Sequence, residues 1–246
     1  MADEYAKEIA REIRALHKAV MDLVEARLKN AWKIKYGEAV TEASLGDFLD
    51  ELRSKATGFF KDSWIVNVVR RMTVGAVQAA MRNFQTELRR ALGSRHPGGD
   101  LFLPRGNMDN IIEARVMAQV QEIKSIPEKY IVAVTRLIAD SAVNGVPYSE
   151  LANELEELVG MAEDRARMIA VTELGRVYNE AAFDRYSQLG VEHVIWVTAD
   201  DERTCPECEP LNGERMTADQ AHDMLPKHPN CRCTVIADPD ELREGV

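Results

Sequence analysis

The segment "CPECEPLNGERMTADQAHDMLPKHPNCRC", Cys205 to Cys233, holds every cysteine of the 246-residue chain and two of its five histidines. With eight acidic or basic side chains and several prolines, it cannot bury enough apolar surface to offset the entropy of ordering itself. It needs a staple. Cys205-Pro-Glu-Cys208 has the two-residue gap that lets a tight turn aim two thiolates at one ion, and His228, Cys231 and Cys233 follow an intervening loop. Soft thiolates with an imidazole select zinc, here one ion per chain in a structural role. A closed tetrahedral shell takes four ligands and five candidates are present. Cys231 and Cys233, two apart on an expected strand and sharing a face, favour four cysteines; the His228-x-x-Cys231 spacing supports three cysteines with the histidine. Disulfides are the alternative, disfavoured because the chain opens without the basic start and apolar core of a signal peptide. A hydrolytic zinc would keep a coordination position open beside a general base. The nearby Asp200, Asp201 and Glu202 read instead as the solvated acids of a turn.

Working outward, "HVIWVT", His193 to Thr198, is β-branched and aromatic and predicts a strand, and "CRCTVIA" alternates Cys231, Cys233, Val235 and Ala237 on one face. Everything upstream is helical in pattern. Ile9, Ile13, Leu16, Val20, Leu23 and Trp32 mark a long amphipathic helix, Phe48, Leu49 and Leu52 a short one, and Trp64 to Leu88 a second long one ending at Gly93. Ile111 to Ile123 predict a further helix, and "SIPE" places Ser125 as the N-cap, with Glu128 at the capping-box position, of the one after it, which stops at Asn144-Gly145. A short acidic helix from Ser149 to Val159 is expected to end at Gly160, and a longer one to run from Ala162 to Gly190. "GSRHPGGDL" combines Gly, Pro and Ser without apolar period. The expected organisation is an N-terminal helical domain at 1–93, a linker at 94–106, and a second domain at 107–246 whose cysteine module spans 196–238. The fold class is mainly α, with a small C-terminal α+β module stapled by a zinc site.

"WVTADDERTCPEC", then "LNG", then "HPNCRC", preceded by the helix "RARMIAVTELGRVYNEAAFDRYSQLG", resembles the phage Mu F-like family of head morphogenesis, or minor capsid, proteins. The resemblance covers Asn107 to Asp238 and rests on the linked order of helix, strand, paired cysteines and His-Pro-x-Cys-Arg-Cys. It implies a low-copy structural protein inside the phage head, made in the host cytoplasm, associated with the portal, and acting in head assembly and DNA packaging or delivery. It implies no reaction. Further candidate partners are the major capsid or scaffold protein, packaged DNA and other copies of the chain around the portal, with no membrane. Two other classes are weighed against it: a zinc-stapled DNA-binding protein, and a metal-dependent nuclease with a treble-clef-like site, which lacks a convincing histidine pair beside its ligands.

On the helix before the strand, about 100° per residue sets Arg165, Thr172, Arg176 and Asn179 on one stripe. Their polar groups are candidates to bond the turns of the cysteine module, with Glu173, Trp196, Asp201 and Arg203 as further supports; Glu173 and Arg176 also have the spacing of a surface pair. The formal net charge of −10 repels nucleic acid at long range. Residues 61–95 run the other way, and Arg70, Arg71, Arg82, Arg89, Arg90 and Arg95 are candidate contacts to DNA or to an acidic partner. The long N-terminal helices, with Trp32 and Trp64 at apolar positions, are the expected docking elements for the portal.

Overall fold

The computed structural model describes residues 2–31, 42–92, 108–144 and 146–244. Among the described residues five α-helices come first: α1 Ala2–Ala31, α2 Glu42–Ala56, α3 Asp62–Leu92, α4 Met108–Asn144 and α5 Tyr148–Gln188. A small module follows: β1 His193–Val197, a 3-10 turn Glu209–Leu211, β2 Arg215–Thr217, α6 Ala218–Met224, β3 Thr234–Ala237 and α7 Pro239–Glu244. Trp32, Gly93, Arg95, His96, Gly145 and the linker expected at 94–106 lie outside the described residues. None of the described helices is long and apolar enough to cross a membrane.

Two corrections concern helix ends. The helix expected to stop before "SIPE" does not stop, because α4 runs unbroken through Pro127. Ser125 caps nothing; its hydroxyl donates back to the Glu122 carbonyl at 2.7 Å. A proline in a helix interior removes one backbone donor and crowds the preceding turn. Here Ile123, Ile126, Tyr130, Val134 and Ile138 form one buried stripe across it, and that burial holds the turn helical. Likewise α5 does not end at Gly160. Glycine costs only about 1 kcal/mol against alanine in a helix interior, and Leu151, Leu155, Val159, Ala162, Ala166 and Ile169 bury a continuous stripe through it.

The described chain forms two compact units. One comprises Asp3–Asn67 and Val120–Arg167, the other Met1–Ala2, Val68–Gln119 and Met168–Val246, so the division falls within α3, α4 and α5. Among the described residues the first is built of helices, with Ile9, Ile13, Leu16, Val20, Leu52, Ile65, Ile138 and Leu155 in its core. The second contains the sheet, ordered β2-β1-β3 with both pairings antiparallel. Its core joins Phe84 and Leu88 of α3, Phe183 and Tyr186 of α5, Trp196, Val235 and Leu242. The strand expected over Cys231–Ala237 begins only at Thr234, although burial alternates from Cys231 through Ala237 as the sequence predicts.

Candidate metal centre

Two turns bring the cysteines together. In the first, the Cys208 and Glu209 backbone N–H groups donate to the Cys205 carbonyl, each at 3.0 Å, closing the Cys-Pro-Glu-Cys loop. Gly213, at φ +84°, reverses the chain after the 3-10 turn. Its N–H donates to the Trp196 carbonyl at 2.8 Å, and the Trp196 N–H donates to Glu214 at 2.9 Å, so the first turn is anchored to β1. The path back uses α6, where Thr217 and Gln220 form a capping box. In the second turn the Cys231 N–H donates to the His228 carbonyl at 3.1 Å, with Asn230 in the left-handed region at φ +63°.

The ligand-type atoms then fall into two overlapping groups, Cys205, Cys208 and His228, and Cys208, Cys231 and Cys233, each with its atoms within 4.8 Å of one another. Cys208 belongs to both. His228 Nε2 lies 3.0 Å from Cys205 Sγ and 3.2 Å from Cys208 Sγ, close to the ~3.5 Å between sulfur and nitrogen ligands of one tetrahedral zinc. The other ring nitrogen, Nδ1, is 2.7 Å from the Pro229 carbonyl. A proton on Nδ1 satisfies that carbonyl and leaves Nε2 with a bare lone pair among the sulfurs, the tautomer a metal ligand needs. Cys208, Cys231 and Cys233 are buried and all four thiols are unbridged. Burial and the neighbouring thiols push Cys208 well up, and burial with the Cys231 charge pushes Cys233 up. Burial opposes the Cys205 thiolate too, but hydrogen bonds from the Cys208 side chain and from nearby backbone N–H groups bring its pKa below the usual value. Crowded thiols that resist ionising side by side are a donor set that a cation would relieve. A small cavity of about 20 Å³ opens beside Cys205, Cys208, His228 and Cys233, with Arg203, Asn230 and Arg232 among its other walls. This Cys/His cluster can hold a metal ion.

Helix α5 carries the second turn. Asn230 N–H donates to Thr172 Oγ1 at 2.9 Å, and that hydroxyl donates to the Met168 carbonyl. One turn on, a Cβ added at Gly175 would sit 3.4 Å from the Cys231 carbonyl oxygen. One more turn on, buried Asn179 donates to the Cys233 carbonyl at 3.1 Å and accepts from the Thr234 hydroxyl at 2.7 Å. Of the four stripe residues the sequence singled out, Thr172 and Asn179 touch the module. Arg176 pairs with Glu173 at 3.4 Å, and Arg165 meets Glu122 and Ser125 in the all-helical unit.

Asp201 reaches across the site. Its carboxylate takes both terminal nitrogens of Arg232, which lies between Cys231 and Cys233, and also the Arg203 backbone N–H. Those hydrogen bonds, Arg232 first, hold its pKa well below the carboxylate range. Arg203 itself stands 3.7 Å from Asp201. Trp196 is fully buried; its indole Nε1 has no oxygen or nitrogen partner and lies close enough to Cys233 to favour the thiolate. Several supports went unread in the sequence. Arg232 was passed over, Glu241 binds the Glu192 and His193 N–H groups and the His193 ring, and Gly175 was missed although a mid-helix glycine in "TELGRV" is a signal of close backbone approach. Of the basic candidates on α3, Arg70 is held by Glu113 at 2.6 Å, Arg71, Arg82, Arg89 and Arg90 are exposed, and Arg95 lies outside the described residues.

Residues 133–236 match the family described as Phage Mu protein F like protein, a narrower span than the resemblance read from the sequence. The chain is 28% identical over 148 residues to an uncharacterized protein of Haemophilus influenzae, a match covering 56% of this chain and 32% of that protein. The chain thus spans about a third of that relative's length. No solved structure matches it.

Proposed function

With residues 133–236 carrying the Phage Mu protein F like segment, we propose that the chain is a phage minor capsid protein, a low-copy component of the head interior that associates with the portal during assembly and DNA packaging or delivery. The observation that carries this reading is the coincidence of the matched segment with the cysteine module and the helix it is bonded to. Thr172, Gly175 and Asn179 seat the His-Pro-Asn-Cys turn on α5 through backbone contacts, which suits a rigid assembly element. Zinc fits the site. Cys208 belongs to every candidate ligand set, with three of Cys205, His228, Cys231 and Cys233 supplying the other ligands. When bound, the ion supplies cross-linking and charge neutralisation, the role of a closed four-ligand shell. The chain then performs no reaction, and the module's stability is its contribution.

The N-terminal domain at 1–93 carries the contact specific to this protein's own assembly, the 94–106 segment acting as linker to the shared module. Head protein or scaffold and further copies of the chain complete the set of partners. Mass spectrometry of purified procapsids and virions, with electron microscopy, tests the location; absence from both overturns it. Metal analysis of the reduced protein tests zinc, with about one ion per chain expected. For docking, the full-length chain is co-expressed with portal protein, carrying charge reversals either at the exposed Lys7, Arg11 and Lys18 of α1 or at the exposed Glu202, Glu207 and Glu214 of the module. Loss of portal retention only with the module variants assigns docking to the other half.

A further inference from the structure

From Val68 to Leu92, α3 carries five arginines against a single carboxylate, Glu87. That carboxylate is turned inward, where it accepts the Tyr186 hydroxyl at 2.8 Å and the Ala237 N–H at 3.4 Å. Arg70 is neutralised on one flank by both oxygens of Glu113, and on the other flank Asn83 donates to the Tyr178 hydroxyl. Between those flanks, Arg71, Gln78, Arg82, Gln85 and Arg89 are all exposed. At 100° per residue they fall within an arc of about 60°, opposite the buried Ala76, Ala80 and Phe84. Arg82 and Arg89 pair with no carboxylate among the described residues.

We infer that this exposed row of α3 binds the phosphate backbone of duplex DNA, with Arg82 and Arg89 as its central contacts. The row from Arg71 to Arg89 is about 27 Å long, the length of about eight base pairs. Its side chains are guanidinium and amide donors of the kind that meet phosphate oxygens. It lacks the aromatic and aliphatic anchors on which a protein partner's affinity depends, and this selects a polyanion over an acidic protein surface. Because the chain as a whole is acidic at −10, attraction comes from local basic faces such as this one, which orients the protein on DNA rather than coating it. The inference deepens the head-assembly reading by naming the element that meets packaged DNA, and it lies outside the family-matched segment.

The test is fluorescence anisotropy of the full-length protein with a mixed-sequence duplex of about 20 base pairs, starting near 50 mM salt. The Arg82→Gln/Arg89→Gln double variant is compared with Arg53→Gln/Arg136→Gln, which removes the same charge from other exposed positions. The α3 variant should bind about tenfold more weakly, with the logarithmic salt slope shallower by about 2, and the control should match the parent. Arg82→Lys/Arg89→Lys should retain most binding, and circular dichroism should match the parent for all variants. Absence of binding by the parent, or equal losses in the two Gln variants, overturns the inference. A polyglutamate peptide that binds more tightly than the duplex with the same Arg82/Arg89 dependence overturns the DNA assignment in favour of an acidic protein. Failure of the head-assembly reading shows separately, as absence of the chain from particles while DNA binding persists.

Discussion

The all-helical unit of Asp3–Asn67 and Val120–Arg167 and the cysteine module of residues 193–238 are built on opposite principles. In the helical unit, long amphipathic stripes meet: Ile9, Ile13 and Leu16 of α1, Ile123, Ile126 and Ile138 of α4, Leu151 and Leu155 of α5 are all at most 1% exposed. Each such side chain contributes roughly 1.5–3 kcal/mol on burial. Its buried His17 is held by Tyr130 at 2.7 Å and Glu156 at 2.9 Å, a polar insertion into a core that apolar contact dominates. The module has strands of three to five residues and holds its turns with point contacts between distant segments: Asp201 to Arg232, Thr172 to Asn230, Asn179 to Cys233, Arg215 to Asp238. One region gains stability by repetition along the chain, the other by convergence of single groups. A single substitution in the first therefore costs what its own side chain buries, whereas one in the second can release more than one turn at once.

The largest expected effect tests the convergence directly. Cys208→Ser should release the metal and abolish hydrogen-exchange protection across residues 193–238 while the helical circular dichroism survives, because a structural zinc site's ~10–16 kcal/mol of binding is local folding energy. Protection that persists in the variant would show that the packing around Trp196 and Val235 suffices without a staple. Next in size, Leu155→Ala opens a cavity in the helical unit at a fully buried position and should cost about 2–5 kcal/mol in denaturant unfolding. Its metal content should equal the parent's; a loss of metal would mean that the two regions are not energetically separate.

Asn179→Ala sharpens the comparison at one atom pair. It strands the Cys233 carbonyl and the Thr234 hydroxyl, at about 1–3 kcal/mol, with the loss of exchange protection centred on residues 230–235. The smallest effect is expected at Glu87, whose pKa is raised by burial, with the Tyr186 hydroxyl opposing the shift. A carboxyl whose folded pKa exceeds its unfolded value adds stability below the unfolded value, and that stability is lost as pH rises through the folded one. Parent stability should therefore decline relative to Glu87→Gln from the ordinary carboxylate range upward. A parent that gains on the variant over that window would mean the Tyr186 and Ala237 bonds outweigh desolvation.

Much of the site was legible because its chemistry is concentrated in sequence. Cysteines two and three apart, with a histidine three before Cys231, announce convergence whatever surrounds them, and the structure places their atoms in two overlapping groups. The supports were less legible. Thr172 and Asn179 were found through helical spacing, but the same spacing also offered Arg176, which turned to Glu173. A stripe fixes which residues share a face and leaves open which of them has a partner opposite. Glu241 and Arg232 gave no local signal, since an exposed-type charge acquires meaning only from what packs beside it.

The amino-acid sequence by itself determined that the chain is mainly helical, where α1 and α3 bury their stripes, that β1 is a strand, and that the cysteines and His228 form one cluster. Each of these follows from a pattern completed within one helix, one strand or one short motif. Only the tertiary structure decided that α4 continues through Pro127 and α5 through Gly160, since a breaker's local cost is weighed against burial by residues elsewhere in the chain. It likewise decided that β2, a three-residue strand with no clear alternation, pairs with β1, and that the Cys231 carbonyl, more than fifty residues later, passes close over Gly175. Periodicity is a property of neighbours in sequence; close approach is a property of neighbours in space.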